Sequence, residues 1–454
     1  MRRNGFFCLI LALFFALTTL HGTAAAVEPS PGKKVKTQTG TEKRTKGQQP
    51  AASRAKTEPT KGTGQATELS PGQINARSAI LMEVSTGTVL FEQNADESIE
   101  PASFTKIATL YLIFEAIQQG RIHLTDEVWI SEAAWRTGGS KMFVGVRTKV
   151  PLEELIKGIA VVSGNDACVA AAEHLSGSTD TFIDAINRKS AELGMTRSRF
   201  LNPHGLPADG QITSARDMAL LDVSYLKRFP ESLRFHSMRE FTFNNIVQYN
   251  RNHLLLKDST IDGLKTGYIA ASGYHLSATS QRDGMRLVAV VMGAVNPATR
   301  EREAMKLLNY GFRNFTLIQP FKDGQAIATA KVLKGQKDEI PVYPKEKPTF
   351  LIPQAQKNLL KWDVRISPDL TAPITAQQDV GELVFMVSDQ PKRTIALLSG
   401  EDVPLAGWLK RGWQSLAGIA RLDWRWISAI LGCIALIAIA LILLSGRRAK
   451  NYSK

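Results

Sequence analysis

The chain has 454 residues, 44% of them hydrophobic and 22% charged, with a formal net charge of +14. This length and apolar content predict two or three globular domains and exclude a wholly disordered or fibrous chain. The charge does not indicate a nucleic-acid-binding protein, because nine of the fourteen surplus charges lie in two flanks, residues 28–72 and 446–454. Basic flanks favour contact with an anionic membrane surface or wall polymer instead.

The N-terminus predicts a secretory signal peptide over residues 1–26. Two arginines are followed by an apolar stretch over 6–20 and by three alanines at 24–26, a small-residue cleavage site. Residues 27–72 are rich in Lys, Thr, Gly, Gln and Pro and hold almost no large apolar side chains. Because such a segment cannot bury a core, we expect a disordered basic linker there.

The first folded domain is predicted over residues 73–316. Two short apolar runs flank a turn at 85–87, which indicates a hairpin, and Pro101 precedes a helical pattern that ends near Gly120. Further predicted elements are helices over 152–162, 166–175, 179–193 and 300–315, and strands over 274–279 and 286–292. Strands, then helices, then strands imply an α+β domain whose antiparallel sheet carries a helical subdomain.

Three short motifs occur in this domain in a fixed order. They are Ser103-Phe104-Thr105-Lys106, Ser163-Gly164-Asn165 and Lys265-Thr266-Gly267. The first pattern alone is weak, because S-x-x-K also begins at residues 30, 53 and 224, whereas the other two triplets occur once each. Separations of 60 and 102 residues leave room for a helical subdomain between them. The order of the three motifs therefore carries the inference.

These residue types supply the parts of a serine nucleophile. An alcohol needs a base and a site for the tetrahedral oxyanion. Lys106 lies one helical turn from Ser103 and is the candidate base if it is neutral, with Lys265 the cation expected to lower its pKa. The backbone N–H groups of Ser103 and Tyr268 are the expected oxyanion donors.

The other two motifs predict a proton relay and a carboxylate clamp. Ser163 is expected to pass a proton to the leaving amine, and Asn165 to hold the substrate amide and the base. Lys265 and Thr266 are expected to bind a terminal carboxylate, and Gly267 to let the substrate lie along the strand. The simpler alternatives are a serine that only caps a helix and a Thr-Gly that only forms a turn.

The motif set resembles the low-molecular-mass penicillin-binding proteins, specifically the D-alanyl-D-alanine carboxypeptidases. The resemblance is strong over residues 74–315, weak over 317–403, and includes four longer segments: Ser163-Gly164-Asn165-Asp166-Ala167, Asn202-Pro203-His204-Gly205-Leu206, Ser214-Ala215-Arg216-Asp217-Met218 and Asp262-Gly263-Leu264-Lys265-Thr266-Gly267. It implies a β-lactamase/transpeptidase-like fold, acylation of Ser103 by peptidoglycan stem peptides and by β-lactams, and no cofactor. Arg251 and Arg300 match arginines near the family's active site.

Three alternatives stay open on the same residues: a D,D-endopeptidase, a β-lactamase, and a non-catalytic wall-binding scaffold. A class A β-lactamase deacylates with a glutamate, whereas the comparable stretch here, residues 198–202, begins with serine. This favours slow drug turnover. Tyr268 is a departure, because the family usually has a small residue or histidine there.

Metal and disulfide chemistry are not indicated. No H-x-x-x-H or H-x-x-E-H pair is present, so a zinc carboxypeptidase is not expected, and His204 is expected to be structural. Of the three cysteines, Cys8 falls in the signal and Cys433 in an apolar segment, which leaves Cys168 alone.

The C-terminal part predicts a β-rich domain and a membrane anchor. Short strand-like runs occupy residues 317–404, residues 405–425 form an amphipathic juxtamembrane pattern, and about 20 apolar residues within 426–446 predict a transmembrane helix. The basic residues of 447–454 place the tail in the cytoplasm. The catalytic part is therefore expected on the periplasmic side of a bacterial inner membrane, with protein partners left open.

Overall fold

The structure, a computed structural model, describes residues 70–410. It also describes residues 428, 432–437 and 439, and these last residues are helical. The predicted signal peptide, nearly all of the basic linker and most of the juxtamembrane and transmembrane segments lie outside these residues. Within the described part, no helix is both long and apolar enough to cross a bilayer. The transmembrane helix stays a prediction from the sequence.

The first domain alternates strands and helices. Its strands are β1 (Ser78–Glu83), β2 (Val89–Gln93), β3 (Glu127–Trp129), β4 (Lys149–Pro151), β5 (Glu240–Phe243), β6 (Ile246–Tyr249), β7 (Ile261–Ile269), β8 (Gly273–Arg282) and β9 (Met285–Ala294). Its helices are α1 (Thr105–Gln118), α2 (Glu132–Arg136), α3 (Leu152–Val161), α4 (Asn165–Ser176), α5 (Thr179–Glu192), α6 (Ala215–Arg228), α7 (Leu233–His236), α8 (Leu254–Lys257) and α9 (Pro297–Asn314). Short 3-10 turns cover Ala102–Phe104 and Pro230–Ser232.

The central sheet is antiparallel, with the strand order β2-β1-β9-β8-β7, which leaves β7 at one edge. Strand β9 reads as a continuous apolar run because both of its faces are covered. Leu287, Ala289 and Val291 pack on the side of α9, and Val288 and Val290 pack against the helical subdomain. The predicted α+β domain with an antiparallel sheet and inserted helices is confirmed.

Helix α1 is the centre of the helical subdomain. All of its residues from Thr105 to Ala116 are buried, so its pattern is apolar nearly all round rather than one-sided. The predicted helical pattern follows Pro101, so the sequence predicts Ser103 at a helix N-terminus. The structure corrects this slightly, because Ser103 is the middle residue of the 3-10 turn that leads directly into α1.

The second domain is a small β domain. Its strands are β10 (Phe315–Ile318), β11 (Ala328–Lys331), β12 (Glu339–Pro344), β13 (Phe350–Pro353), β14 (Leu360–Ile366), β15 (Asp379–Val387) and β16 (Gln390–Ser399), with a 3-10 turn at Gln354–Leu359. Strands β11-β12-β16-β15-β14 form an antiparallel sheet, and β10 pairs with β13. The strand-like runs of the sequence are 326–333, 339–343, 360–366, 382–387 and 394–398, so strands β10 and β13 were not predicted. The expectation of a β-rich domain after the first one is confirmed.

Candidate active site

Ser103 and Lys106 meet because the 3-10 turn and the first turn of α1 place both side chains on one face. The Nζ atom of Lys106 lies 3.0 Å from the Oγ atom of Ser103. The Lys106 side chain is fully buried, whereas Ser103 remains partly open. The candidate nucleophile is therefore accessible, and its candidate base is shielded from water.

The surroundings of Lys106 fix where its lone pair points. Its Nζ atom also donates to the Oδ1 atom of Asn165 at 2.6 Å and to the backbone carbonyl of His204 at 2.5 Å. Neither oxygen can donate in return. A neutral amine has two N–H bonds and one lone pair, so these two acceptors use both N–H bonds and leave the lone pair facing Ser103.

Burial favours this neutral amine. It lowers the pKa of Lys106 from 10.5 to about 8, and the positive charge of Arg251 adds to the lowering. The sequence had assigned that neighbouring charge to Lys265, so Arg251 is a contributor that the motifs missed. Burial also lowers the pKa of His204 to about 3, so its imidazole is uncharged beside Lys106.

The second motif is a tight corner between two helices. Helix α3 ends at Val161 and α4 begins at Asn165, with Ser163 held at a φ of +64°, a conformation that is strained for a residue with a side chain. The hydroxyl of Ser163 donates to Ser103 Oγ at 3.0 Å. The corner therefore brings a second hydroxyl to the nucleophile across 60 residues of sequence.

The third motif lies on the edge strand β7, beside the turn that carries Ser103. A Cβ atom at Gly267 would lie 3.2 Å from the Cβ of Ala102, so glycine lets the strand approach that turn. Lys265 is buried, and burial together with the charge of Lys106 holds the pKa of Lys265 well below its usual value. Tyr268 is 54% exposed, and its ring stacks on that of Tyr274 at 4.3 Å.

Both predicted arginines reach the site. The Nη1 atom of Arg251 donates to the Oγ atom of Ser140 at 2.8 Å. Arg300 supports this arrangement, since its Nη2 atom donates to the carbonyl of Arg251 at 3.2 Å. Burial lowers the pKa of each guanidinium. The two guanidinium groups are therefore partly desolvated before an anion binds in the site.

A loop over residues 138–144 closes the site, and sequence reasoning missed it. The carbonyl of Gly138 accepts from the side-chain amide of Asn165 at 2.7 Å, and the carbonyl of Ser140 accepts from the backbone N–H of Asn165 at 2.7 Å. The buried carboxylate of Asp166 accepts the backbone N–H groups of residues 142, 143 and 144, at 3.0, 3.0 and 3.3 Å. The paired glycines at 138–139 were the available turn signal.

The segment around His204 is a second neighbour that the motifs did not assign to catalysis. Gly205 has a φ of +84°, and a Cβ atom there would lie 1.7 Å from the carbonyl oxygen of Ala102. This close approach brings the carbonyl of His204 to Lys106. Only glycine fits, because both the conformation and the space exclude a side chain.

These elements enclose one cavity of about 210 Å³. The predicted residues that line it are Ser103, Ser163, Asn165, Arg251, Thr266, Gly267, Tyr268 and Arg300. Lys106 and Lys265 are buried, and Lys106 contacts the lining residues Ser103 and Asn165. In the described part of the chain, no group of three His, Cys, Asp or Glu residues is placed to hold a metal ion. The cavity thus combines a serine, a buried amine and converging positive charge.

Comparisons with known proteins identify the family of the chain. A family model described as D-alanyl-D-alanine carboxypeptidase matches residues 64–296, and one described as penicillin-binding protein 5, C-terminal domain, matches residues 315–405. The D-alanyl-D-alanine carboxypeptidase DacC of Escherichia coli is 40% identical over 349 residues, 75% of this chain and 87% of the relative. The DacA enzyme of Haemophilus influenzae is 36% identical over 354 residues, 77% of this chain and 90% of the relative. A crystal structure of penicillin binding protein 5 from Haemophilus influenzae aligns with a TM-score of 0.67 at 36% identity, covering 74% of this chain and 99% of that one.

Proposed function

The chain belongs to the D-alanyl-D-alanine carboxypeptidase family, and from this premise we propose that Ser103 carries the reaction as its nucleophile. The protein is a serine-type D-alanyl-D-alanine carboxypeptidase. The observation that supports the role of Ser103 is the position of Lys106 Nζ, which lies 3.0 Å from Ser103 Oγ and contacts two oxygens that can only accept. When the amine is neutral, those two acceptors use both of its N–H bonds, and its lone pair faces the serine hydroxyl.

Acylation follows from that arrangement. Ser103 Oγ attacks the carbonyl carbon of the penultimate D-alanine as its proton passes to Lys106. The backbone N–H groups of Ser103 and Tyr268, two residues that line the cavity, bind the oxyanion. The bond from carbon to the terminal nitrogen then breaks, Ser163 donates its proton to that nitrogen, and the proton held on Lys106 replaces it. D-alanine leaves, and Ser103 carries the acyl group as an ester.

Deacylation reverses the roles of the same groups. Water attacks the ester carbonyl as Lys106 takes up its proton and the water oxygen stays on the carbonyl carbon. The bond to Ser103 Oγ then breaks, the proton held on Lys106 passes to Ser103 Oγ, and the shortened peptide leaves with a free carboxyl group. The stretch that begins at Ser198 offers no glutamate in the place where a class A β-lactamase has one. We therefore propose that β-lactams acylate Ser103 and are released slowly.

Substrate binding relies on the positive end of the cavity. Thr266, Arg251 and Arg300 line the cavity, and in this proposal they bind the terminal carboxylate of a stem peptide. A carboxylate there would also favour the protonated form of Lys265, whose pKa is lowered by burial and by the charge of Lys106. Since β7 is an edge strand, the peptide can add to the sheet beside Gly267.

The test is D-alanine release by the full chain in detergent, with a peptide that ends in D-Ala-D-Ala. Ser103→Ala should abolish release and labelling by fluorescent penicillin. The matched control is Ser224→Ala, since Ser224 begins another S-x-x-K pattern but its hydroxyl contacts Tyr111 and not the cavity. If Ser103→Ala kept its activity, the proposed nucleophile would be wrong.

The same samples separate the alternatives. If two cross-linked stem peptides were cleaved faster than D-alanine is released, an endopeptidase activity would be favoured. Rapid steady-state hydrolysis of penicillin would favour a β-lactamase. Binding to peptidoglycan that does not depend on Ser103, with no release and no labelling, would favour a scaffold.

We also propose that the protein is held in a bacterial inner membrane with its catalytic domain on the periplasmic side. The support is the sequence: a signal-like start, about 20 apolar residues within 426–446, and the basic tail 447–454. Protease treatment of spheroplasts should digest the catalytic domain and spare a tag on the C-terminus. Protection of the catalytic domain would contradict this location.

A further inference from the structure

Four large apolar side chains are exposed together at one end of the β domain. Leu333 is 49% exposed, Leu405 44%, Trp408 75% and Leu409 62%. Val403, in the segment that carries three of them, is fully buried. The segment is therefore packed into the domain while these four side chains face outward. They are called here the apolar end face.

Hydrogen bonds fix the two parts of this face to each other. The N–H of Ala406 donates to the carbonyl of Lys334 at 2.8 Å, and the N–H of Gln336 donates to the carbonyl of Pro404 at 3.0 Å. Further along, the Nζ atom of Lys410 donates to the carbonyl of Gln336 at 2.9 Å. The chain thus enters its C-terminal helix along the loop that carries Leu333, and the two share one surface.

The apolar end face lies away from the first domain. Strand β16 runs the length of the β domain, and near its start Lys392 and Arg393 line a cavity of about 550 Å³ with residues of the β1–β2 turn. The other end of β16 is Ser399. Val403, in the segment that carries three residues of the face, follows four residues later. Nine steps along a strand at about 3.3 Å each separate the two ends by about 30 Å. The face therefore lies at the end of the β domain that is distant from its contact with the first domain.

The sequence that follows the apolar end face indicates which surface covers this face. The continuously described chain ends at Lys410, and residues 411–425 complete the amphipathic pattern before the apolar segment within 426–446. The chain therefore leaves the β domain at this face and reaches a segment long enough to cross a bilayer within about 15 residues. Tryptophan is enriched where membranes meet water, and Trp408 is the most exposed residue of the face.

We propose that the apolar end face is a contact surface for the phospholipid bilayer, formed jointly by the loop at Leu333 and the start of the C-terminal helix. Two contacts from different parts of the β domain would restrict its tilt, whereas a helix alone would leave the domain free to swing. The catalytic cavity is then held at a defined distance from the membrane. This proposal rests on the membrane location proposed above and adds to it a surface of the folded domain.

The test places a fluorophore at each end of the β domain. The full chain with Cys433→Ser, which leaves the buried Cys168 and the signal residue Cys8, receives either Leu333→Cys or Asp389→Cys. Asp389 is a matched control, because it is an exposed position in the β15–β16 turn at the opposite end. Each labelled protein is reconstituted into phosphatidylethanolamine–phosphatidylglycerol vesicles, with and without lipids brominated near the headgroup.

We expect bromolipids to quench the label at 333 several-fold more than the label at 389. No quenching at 333 in protein that floats with the vesicles would overturn the proposal and leave the membrane anchor intact. Equal quenching at both positions would also overturn it, because the domain would then lie flat on the bilayer. A label at 333 that responds to protein concentration and not to bromolipids would assign the face to a second copy. Failure to float would instead refute the proposed membrane location.

Discussion

The rate of Ser103 acylation should depend on pH through the neutral fraction of Lys106. Burial lowers the pKa of Lys106 from 10.5 to about 8. At pH 7 about 9% of the amine is then neutral, against about 0.03% at the ordinary pKa, a gain of about 300-fold in the reactive form. Because only the neutral amine accepts the serine proton, acylation should rise about tenfold between pH 7 and pH 9 and level off above that.

The assay is the second-order rate of labelling by a fluorescent penicillin from pH 6 to pH 10, which isolates acylation from turnover. Circular dichroism at each pH checks that the fold is unchanged. Arg251→Gln is the companion variant, because it removes a positive charge that lowers the pKa of Lys106. Its profile should move to higher pH. A flat profile, or one that falls between pH 7 and pH 9, would refute Lys106 as the neutral base.

Asp222, Asp166 and Gly205 offer three further tests of the first domain. Burial raises the pKa of Asp222 from 3.8 to about 7, so the folded state holds a proton that the unfolded state has lost, and stability should fall by up to about 4 kcal/mol as pH rises from 4 to 7. Asp222→Asn should remove that fall in melting experiments at several pH values, and parallel curves for the two proteins would contradict the reasoning. Asp166→Asn should slow penicillin labelling about tenfold and cost about 1–3 kcal/mol of stability, because the loop over 142–144 loses acceptors; labelling at the wild-type rate would show that the loop does not position the site. Gly205→Ala should abolish labelling, whereas Gly210→Ala, at a φ of +83° with open space around it, should cost only about 1 kcal/mol and keep the activity; similar effects of both would rule out the contact with the Ser103 turn.

The sequence was sufficient for the features that depend on local pattern. The helix predicted over 179–193 is α5, Thr179–Glu192, and the strands predicted over 274–279 and 286–292 lie within β8 and β9. Strand β13 was missed because its four residues begin and end among prolines and lysines, which carry no strand period. The three motifs also identified side chains that the fold brings to one cavity.

Tertiary structure alone decided how those side chains act. The carbonyl of His204 orients the lone pair of Lys106, and the carbonyls of Gly138 and Ser140 hold Asn165. Every residue has a backbone carbonyl, so the residue type does not reveal which carbonyl contacts the base. His204 also lies 98 residues from Lys106, so no local pattern connects the two residues. The choice of Arg251 as the cation near the base likewise depends on distance and burial. A sequence names the reactive groups, whereas their pKa values and directions depend on what the folded chain places around them.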